Sequence, residues 1–131
     1  MLYSSGVLAG MNFVTSDAPT RSCPNGTVAN MSLGGSKSTT LNTAAANMIK
    51  AGVFLAVAAG NDNKDAAGTS PASETTVCTV GATTNADARA TYSNYGAVVD
   101  IFAPGTNILS TWIGSSGTTT ASPVLICHRL I

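Results

Sequence analysis

Charge is the first thing this sequence is short of. Only 9% of its 131 residues are Asp, Glu, Lys or Arg, against about 25% in an ordinary globular domain. Six basic residues balance six acidic ones, so the net charge is zero. Such a chain lacks the basic surface that neutralises phosphates, which argues against nucleic acid and against an anionic membrane surface as partners. Aromatics are scarce too, at 5%, and there is one histidine, His128. The three cysteines, Cys23, Cys78 and Cys127, form no CxxC pair, and an odd count leaves at least one thiol without an internal partner. No apolar run approaches the ~18–20 residues of a membrane helix; the stretch 53–59 ends at Gly60-Asn61. Residues 1–5 lack the basic start and apolar stretch of a secretory signal. Neither GxGxxG nor GxxxxGK[ST] occurs, which sets aside a nucleotide-binding α/β domain.

What remains is apolar enough, at 44%, to build a core, and short enough for one domain or a piece of one. Val7, Leu8, Met11, Phe13 and Val14 recur at near-helical spacing, which predicts a helix over 5–14. Residues 15–26 hold Pro19, Pro24, Asn25 and Gly26 and read as loop. Residues 27–33 read as a strand ended by the turn Gly34-Gly35. Ser38, Thr39 and Thr40 offer an N-cap. Leu41, Ala44, Ala45, Met48 and Ile49 then fall at i, i+3, i+4, i+7 and i+8, and Gly52 is a natural stop. The run 53–58 predicts a strand buried on both faces, and 77–82 and 98–102 predict two more. Residues 60–72 and 83–96 read as polar loops.

Strand, helix of about 14 residues, strand is a βαβ unit, so the expected fold is α/β around a parallel sheet. Chemistry in such sheets gathers at the carboxyl ends of the strands. Those ends here are Leu33-Gly34-Gly35 and Ala59-Gly60-Asn61, two loops that can line one site.

The same loops carry a resemblance. Ser32-Leu33-Gly34-Gly35, Val57-Ala58-Ala59-Gly60-Asn61 and Ser70-Pro71-Ala72-Ser73-Glu74 resemble the subtilisin-like serine proteases. Val77-Cys78-Thr79-Val80-Gly81-Ala82, Ser93-Asn94-Tyr95-Gly96, Asp100-Ile101-Phe102-Ala103-Pro104-Gly105 and Leu109-Ser110-Thr111-Trp112 continue it in order. The whole is similar to the fungal proteinase K branch over about residues 9–113. The resemblance implies a three-layer α/β sandwich around a parallel sheet, here incomplete, with residues 1–123 as part of the catalytic domain and 124–131 as a non-matching tail. It implies a secreted, monomeric, calcium-binding endopeptidase that cleaves next to apolar or aromatic residues, using Asp, His and Ser.

Residue by residue, the resemblance makes Asn61 the side-chain donor of the oxyanion hole, which an amide at a strand end serves without charge. It makes Ser32, Leu33, Gly34 and Gly35, with Ala58, Ala59 and Gly60, the backbone walls of the substrate site, the first segment pairing with extended peptide. It makes Asp100 a calcium carboxylate, with Thr75 and Val77 giving backbone carbonyls, a donor set of hard oxygens. It makes Cys23 and Cys78 half-cystines whose family partners lie outside the matched region; a Cys78–Cys127 bridge stays open.

The departures weigh as much. The family's Asp and His motifs are absent from these residues; Asp17 is the one acidic residue before Ser32, and His128 lies in the tail. Where the family reads Gly-Thr-Ser-Met-Ala-Thr-Pro-His, this chain reads Gly117-Thr118-Thr119-Thr120-Ala121-Ser122-Pro123-Val124, so Thr119 stands at the nucleophile position. Its β-branch crowds attack. The expectation is a chain inactive by itself, or alternatively a pseudoprotease that binds extended peptides without cleaving them. A central slice of the domain also leaves edges and apolar faces uncovered, which favours aggregation. Asn25 and Asn30 both open glycosylation sequons, Asn25 in a loop and Asn30 within a strand.

Overall fold

Helix α2 (Thr39–Lys50) starts where a cap is available: the Ser38 side chain accepts a hydrogen bond from the backbone N–H of Leu41. A cap of this kind contributes about 1 kcal/mol. The helix stops at Gly52, whose φ of +84° lets the chain turn straight into the next strand. Its buried stripe is Ala44, Ala45 and Met48, the 3.6-residue face legible in the sequence. Helix α1 (Ser4–Asp17) buries Met11 against it. The structure, a computed structural model, describes residues 4–111 and 118–120.

The sheet has four parallel strands in the order β1 (Thr27–Met31), β3 (Val53–Ala58), β5 (Cys78–Thr83), β6 (Ile101–Pro104). Two short antiparallel pairs accompany it: β2 (Gly35–Ser36) with β4 (Thr69–Ser70), and β7 (Leu109–Thr111) with β8 (Thr118–Thr120). Val53, Leu55 and Val57 of β3 point into one cluster with Met11, Ala44, Ala45 and Met48, so both helices cover the same face of the sheet. A smaller cluster of Ala56, Val80, Ala82, Ala90 and Ala103 forms on the other face. The α/β reading with a parallel sheet therefore holds, but the described residues form two of the three expected layers.

That missing layer explains one correction. Strand β3 is not buried on both faces: Phe54 is 53% exposed, and Val28, its register partner, 48%. Both lie on the face away from the helices, together with Ile101. This open apolar patch is the surface on which the aggregation expectation rests.

Other boundaries moved for local reasons. Helix α1 runs three residues past Val14, into the expected loop. Thr15 and Ser16 donate their hydroxyls back to the Met11 and Asn12 carbonyls, and a 3-10 turn over Ala18–Thr20 with Pro19 then ends the helical path. Strand β1 stops at Met31, two residues short of Leu33. The fourth strand begins at Ile101 rather than Val98. Residues 96–99 close a turn through Val99 N–H to Gly96 O, and Asp100 N–H to Thr79 O starts the pairing. Segment 60–72 is not plain loop; it carries the 3-10 turn Ala66–Gly68 and β4. Likewise Gly35 is not only a turn residue but half of β2. Cys23 is exposed and Cys78 half-buried, and among the described residues they form no disulfide. Cys127, His128 and the tail lie outside the described residues.

Candidate functional site

The crossover through α2 brings the carboxyl ends of β1 and β3 side by side, and a cleft of about 430 Å³ opens between them. It is lined by Ser32, Leu33, Gly34, Gly35 and Ser36 on one side, and by Ala58, Ala59, Gly60, Asn61, Asp62 and Lys64 on the other. Thus the seven expected wall residues and Asn61 meet in one place. Thr69, which the sequence did not single out, lines the cleft with them.

The first wall is held by β4. Gly35 and Ser36 pair antiparallel with Ser70 and Thr69. A Cβ on Gly34 would sit 3.3 Å from the Ser70 carbonyl, so a bare backbone lets the two segments close up. Ser70 is fully buried; its hydroxyl accepts from Ser38 N–H at 2.9 Å and donates to Ser38 O at 3.3 Å. Asn42 Nδ2 donates to Ser73 Oγ at 2.9 Å. The segment Ser70–Ser73 therefore ties the wall to the start of α2.

The second wall turns on Gly60, whose φ is +105°. Its neighbours are tied by a buried asparagine. Asn94 Nδ2 donates to Ala59 O at 2.9 Å, and Asn94 Oδ1 accepts from Asp62 N–H at 2.9 Å and Lys64 N–H at 3.1 Å. The backbone N–H of Asn94 donates to Gly60 O at 2.9 Å. Thr69 Oγ1 adds a bond to Ala59 O at 3.3 Å. Arg89 Nη1 donates to Asn63 Oδ1 at 3.0 Å, and its guanidinium lies over the Tyr95 ring. Asn61, half-buried, is carried on this tethered loop. At the rim Lys64 Nζ and Asp62 Oδ2 pair at 3.0 Å, both more than half exposed, so the pair adds little stability.

Asn94, Ser70 and Thr69 were missed as site residues. The signal for Asn94 and Ser70 was present in Ser93-Asn94-Tyr95-Gly96 and Ser70-Pro71-Ala72-Ser73-Glu74, but a motif shows which residues recur together and not what each one bonds to; Thr69 lies in neither motif.

The expected calcium donors lie apart from the cleft. Asp100 is exposed, and its Oδ2 accepts from Thr79 N–H at 2.7 Å, which sets the carboxylate beside the start of β5, directly after Thr75 and Val77. Among the described residues no three His, Cys, Asp or Glu side chains group as a metal cage. The donors on hand are one carboxylate and backbone carbonyls, a hard-oxygen set that fits calcium in kind and not a transition metal. Thr119 lies on β8, in register with Ser110 of β7. Asn25 is exposed, whereas Asn30 is half-buried, with Nδ2 donating to Ser32 Oγ and Oδ1 enclosed without a partner among the described residues.

Burial pushes the Cys78 thiol above its ordinary value of 9.0, and the Asp100 carboxylate pushes it the same way. The folded chain therefore holds this proton more firmly than the unfolded one. Stability from this group is complete below the unfolded value and is lost as pH rises through it toward the folded one. Urea midpoints measured across pH 9.0 are expected to fall on the alkaline side, and Cys78→Ser to flatten that fall. An equal fall in the variant would assign the effect to other groups.

Comparison with known proteins places these features in context. A family model described as the subtilase family matches residues 9–127. The chain is 66% identical over 125 residues to a subtilisin-like serine protease, AsES, of Sarocladium strictum, covering 92% of this chain and 32% of that protein. It is 64% identical to the alkaline serine protease ver112 of Corniculantispora psalliotae, with 91% and 32% covered. It is 57% identical to proteinase R of Parengyodontium album, again with 91% and 32% covered. A solved cold-adapted subtilisin-like serine proteinase superposes with a TM-score of 0.84 at 42% identity, over 96% of this chain and 44% of that one. The chain thus spans about a third of the length of these curated relatives. No helix among the described residues is long and apolar enough to cross a membrane.

Proposed function

The chain belongs to the subtilase family, and from that membership we propose that its cleft is the substrate-binding and oxyanion side of a secreted serine endopeptidase site. The observation that carries this is the convergence of Ser32–Gly35, Ala58–Gly60 and Asn61 on one cleft at the carboxyl ends of two parallel strands. An extended peptide adds to the Leu33–Gly35 backbone, where small residues let it approach, and its apolar side chain enters between the two walls. Asn61 then donates an N–H to the carbonyl oxygen as charge develops on it. Removing such a donor costs about 10²–10³ in turnover; that magnitude is known from an enzyme of this same family.

Attack itself needs a nucleophile and a base. The 131 residues hold one histidine, His128, and Thr119 at the position matching the nucleophile. We therefore expect the chain by itself to bind peptide without hydrolysing it, which is also what the pseudoprotease reading requires. Monomeric peptide binding and export from the cell belong to the same proposal, supported by the family's protease relatives.

The test uses an apolar peptide made with a free C-terminal carboxylate and again as its carboxamide. A carboxylate oxygen mimics the charge Asn61 is placed to meet, and a charge-assisted hydrogen bond is worth about 1.5–3 kcal/mol. Titration into ¹⁵N-labelled chain should shift the amides of residues 32–35 and 58–61, with the carboxylate at least ~10-fold tighter. Asn61→Ala should erase the difference. Saturating peptide that leaves those amides unmoved, or a difference that survives Asn61→Ala, sinks the assignment.

Calcium is proposed as a structural ligand held by Asp100 with the Thr75 and Val77 carbonyls. Bound there, the ion would cross-link the segment before β5 to the start of β6. At calcium a hundredfold above its Kd, unfolding should cost about 2.7 kcal/mol more than in chelator. Asp100→Asn should abolish the gain while keeping an oxygen for Thr79 N–H. An unchanged urea midpoint with and without calcium rules the site out.

A further inference from the structure

Asn61 can serve as an oxyanion donor only if its side chain leaves the backbone in a fixed direction. That direction is set by the two peptide planes on either side of its Cα. The plane between Gly60 and Asn61 is fixed by Gly60 O accepting from Asn94 N–H at 2.9 Å. The plane between Asn61 and Asp62 is fixed by Asp62 N–H donating to Asn94 Oδ1 at 2.9 Å. One residue therefore sets both dihedrals of Asn61, the first through its backbone and the second through its side chain. Asn94 is fully buried, so its own rotamer is locked. Its amide orientation is also unambiguous: Oδ1 faces two N–H donors, Asp62 and Lys64, and Nδ2 faces the Ala59 carbonyl. A flipped amide would oppose like to like at all three.

We propose that Asn94 is a positioning residue for Asn61, acting through the 61–62 peptide plane rather than by touching substrate. The proposal rests on the oxyanion role given to Asn61 above. The loop has other ties that hold its outer end: Asn63 N–H to Tyr92 O at 2.9 Å and Tyr95 N–H to Lys64 O at 3.1 Å. These survive when the Asn94 side chain is shortened. What is lost is the bond that orients the plane following Asn61. The chemistry demanded at position 94 is an enclosed acceptor for two N–H groups and a donor to Ala59 O; Asp supplies the acceptor at the cost of the donor, and Ala supplies neither.

The carboxylate and carboxamide peptides separate positioning from general support. In Asn94→Ala the carboxylate preference should fall from about 10-fold to under about 2-fold, with the carboxamide Kd changed less than about 2-fold. Asn94→Asp, which keeps the acceptor for Asp62 and Lys64 N–H but opposes an oxygen to Ala59 O, should restore part of the preference. Native-state hydrogen exchange on the unaltered chain gives a reading that needs no variant: the Asp62 and Lys64 amides should be protected, although both side chains are exposed. Equal weakening of both peptides in Asn94→Ala would make the residue a mere support, and a preference left intact would overturn the proposal. Unprotected Asp62 and Lys64 amides would also overturn it. If the unaltered chain shows no carboxylate preference, or if Asn61→Ala keeps it, the failure lies with the oxyanion assignment, and the positioning role falls with it.

Discussion

Gly60→Ala is expected to cost the chain about 3–5 kcal/mol and to dismantle the cleft with it. Two terms add at this position. A φ of +105° is outside what an L side chain adopts readily, and such strain costs about 1–3 kcal/mol. A Cβ at residue 60 would also stand 2.4 Å from Asn94 Nδ2. Asn94 has nowhere to retreat, being fully buried and bonded through its own N–H to Gly60 O. Displacing it strips a partner from Ala59 O, Asp62 N–H and Lys64 N–H, and each enclosed polar group left unpaired costs about 1–3 kcal/mol. Water reaches the exposed outer loop and recovers part of that, which is why the total stays near 3–5. Whole domains are stable by only 5–15 kcal/mol, so the variant stands near the edge of folding. Urea unfolding followed by circular dichroism measures the loss; a drop below about 1 kcal/mol would show that the loop yields at little cost. Gly81 provides the contrast. A Cβ there meets the Phe102 ring at 2.4 Å, but Phe102 is 38% exposed and can swing outward, so Gly81→Ala should cost far less.

Leu55→Ala should cost about 3 kcal/mol, for a different reason. Leu55 is fully buried at the centre of β3, under both helices. Truncation removes apolar area and leaves a cavity, and buried Leu→Ala changes span about 2–5 kcal/mol according to how far the site collapses. The middle of the range applies because the floor is a hydrogen-bonded strand between two parallel neighbours, which cannot sag, while Met48 above it is unbranched and can fill part of the gap. Leu55→Met should cost under about 1.5 kcal/mol. The midpoint should shift with the denaturant slope unchanged; a changed slope would mean altered compactness instead of a local cavity. Leu55 is far from the cleft loops in its bonding, so peptide preference in the folded fraction should survive Leu55→Ala. That survival separates a core lesion from the site lesion at Gly60.

Helix α2 shows how much the sequence states openly. Its cap, stripe and stop are all local: Ser38 bonds three residues ahead, the apolar positions repeat every 3.6 residues, and Gly52 ends the run. Strands β1 and β3 were legible because apolar runs bounded by glycine have few other uses, β5 as a short run between polar segments, and the βαβ order then dictated a parallel sheet. The cleft walls and Asn61 followed from the strand ends, with their roles supplied by family resemblance. Phe54 shows the limit. An apolar residue in an apolar strand reads as buried, but burial depends on a layer that β3 itself does not encode, and here the face is open. Val98 and Val99 read as strand by composition, yet the turn from Gly96 claims their backbone and they pack toward the helix-side core.

The sequence by itself thus determined the elements, the α/β class and the location of the cleft, because each of these is fixed by contacts within a few residues or by the order of strands. Only the tertiary structure decided how Asn61 is aimed. Asn94 lies 33 positions further along the chain, and no local pattern links a buried amide to the two peptide planes it orients. The pairing of Gly35–Ser36 with Thr69–Ser70 has the same character. Hydrogen bonds across such separations depend on where the folded sheet brings two loops, and that is a property of the packing of the whole rather than of any segment.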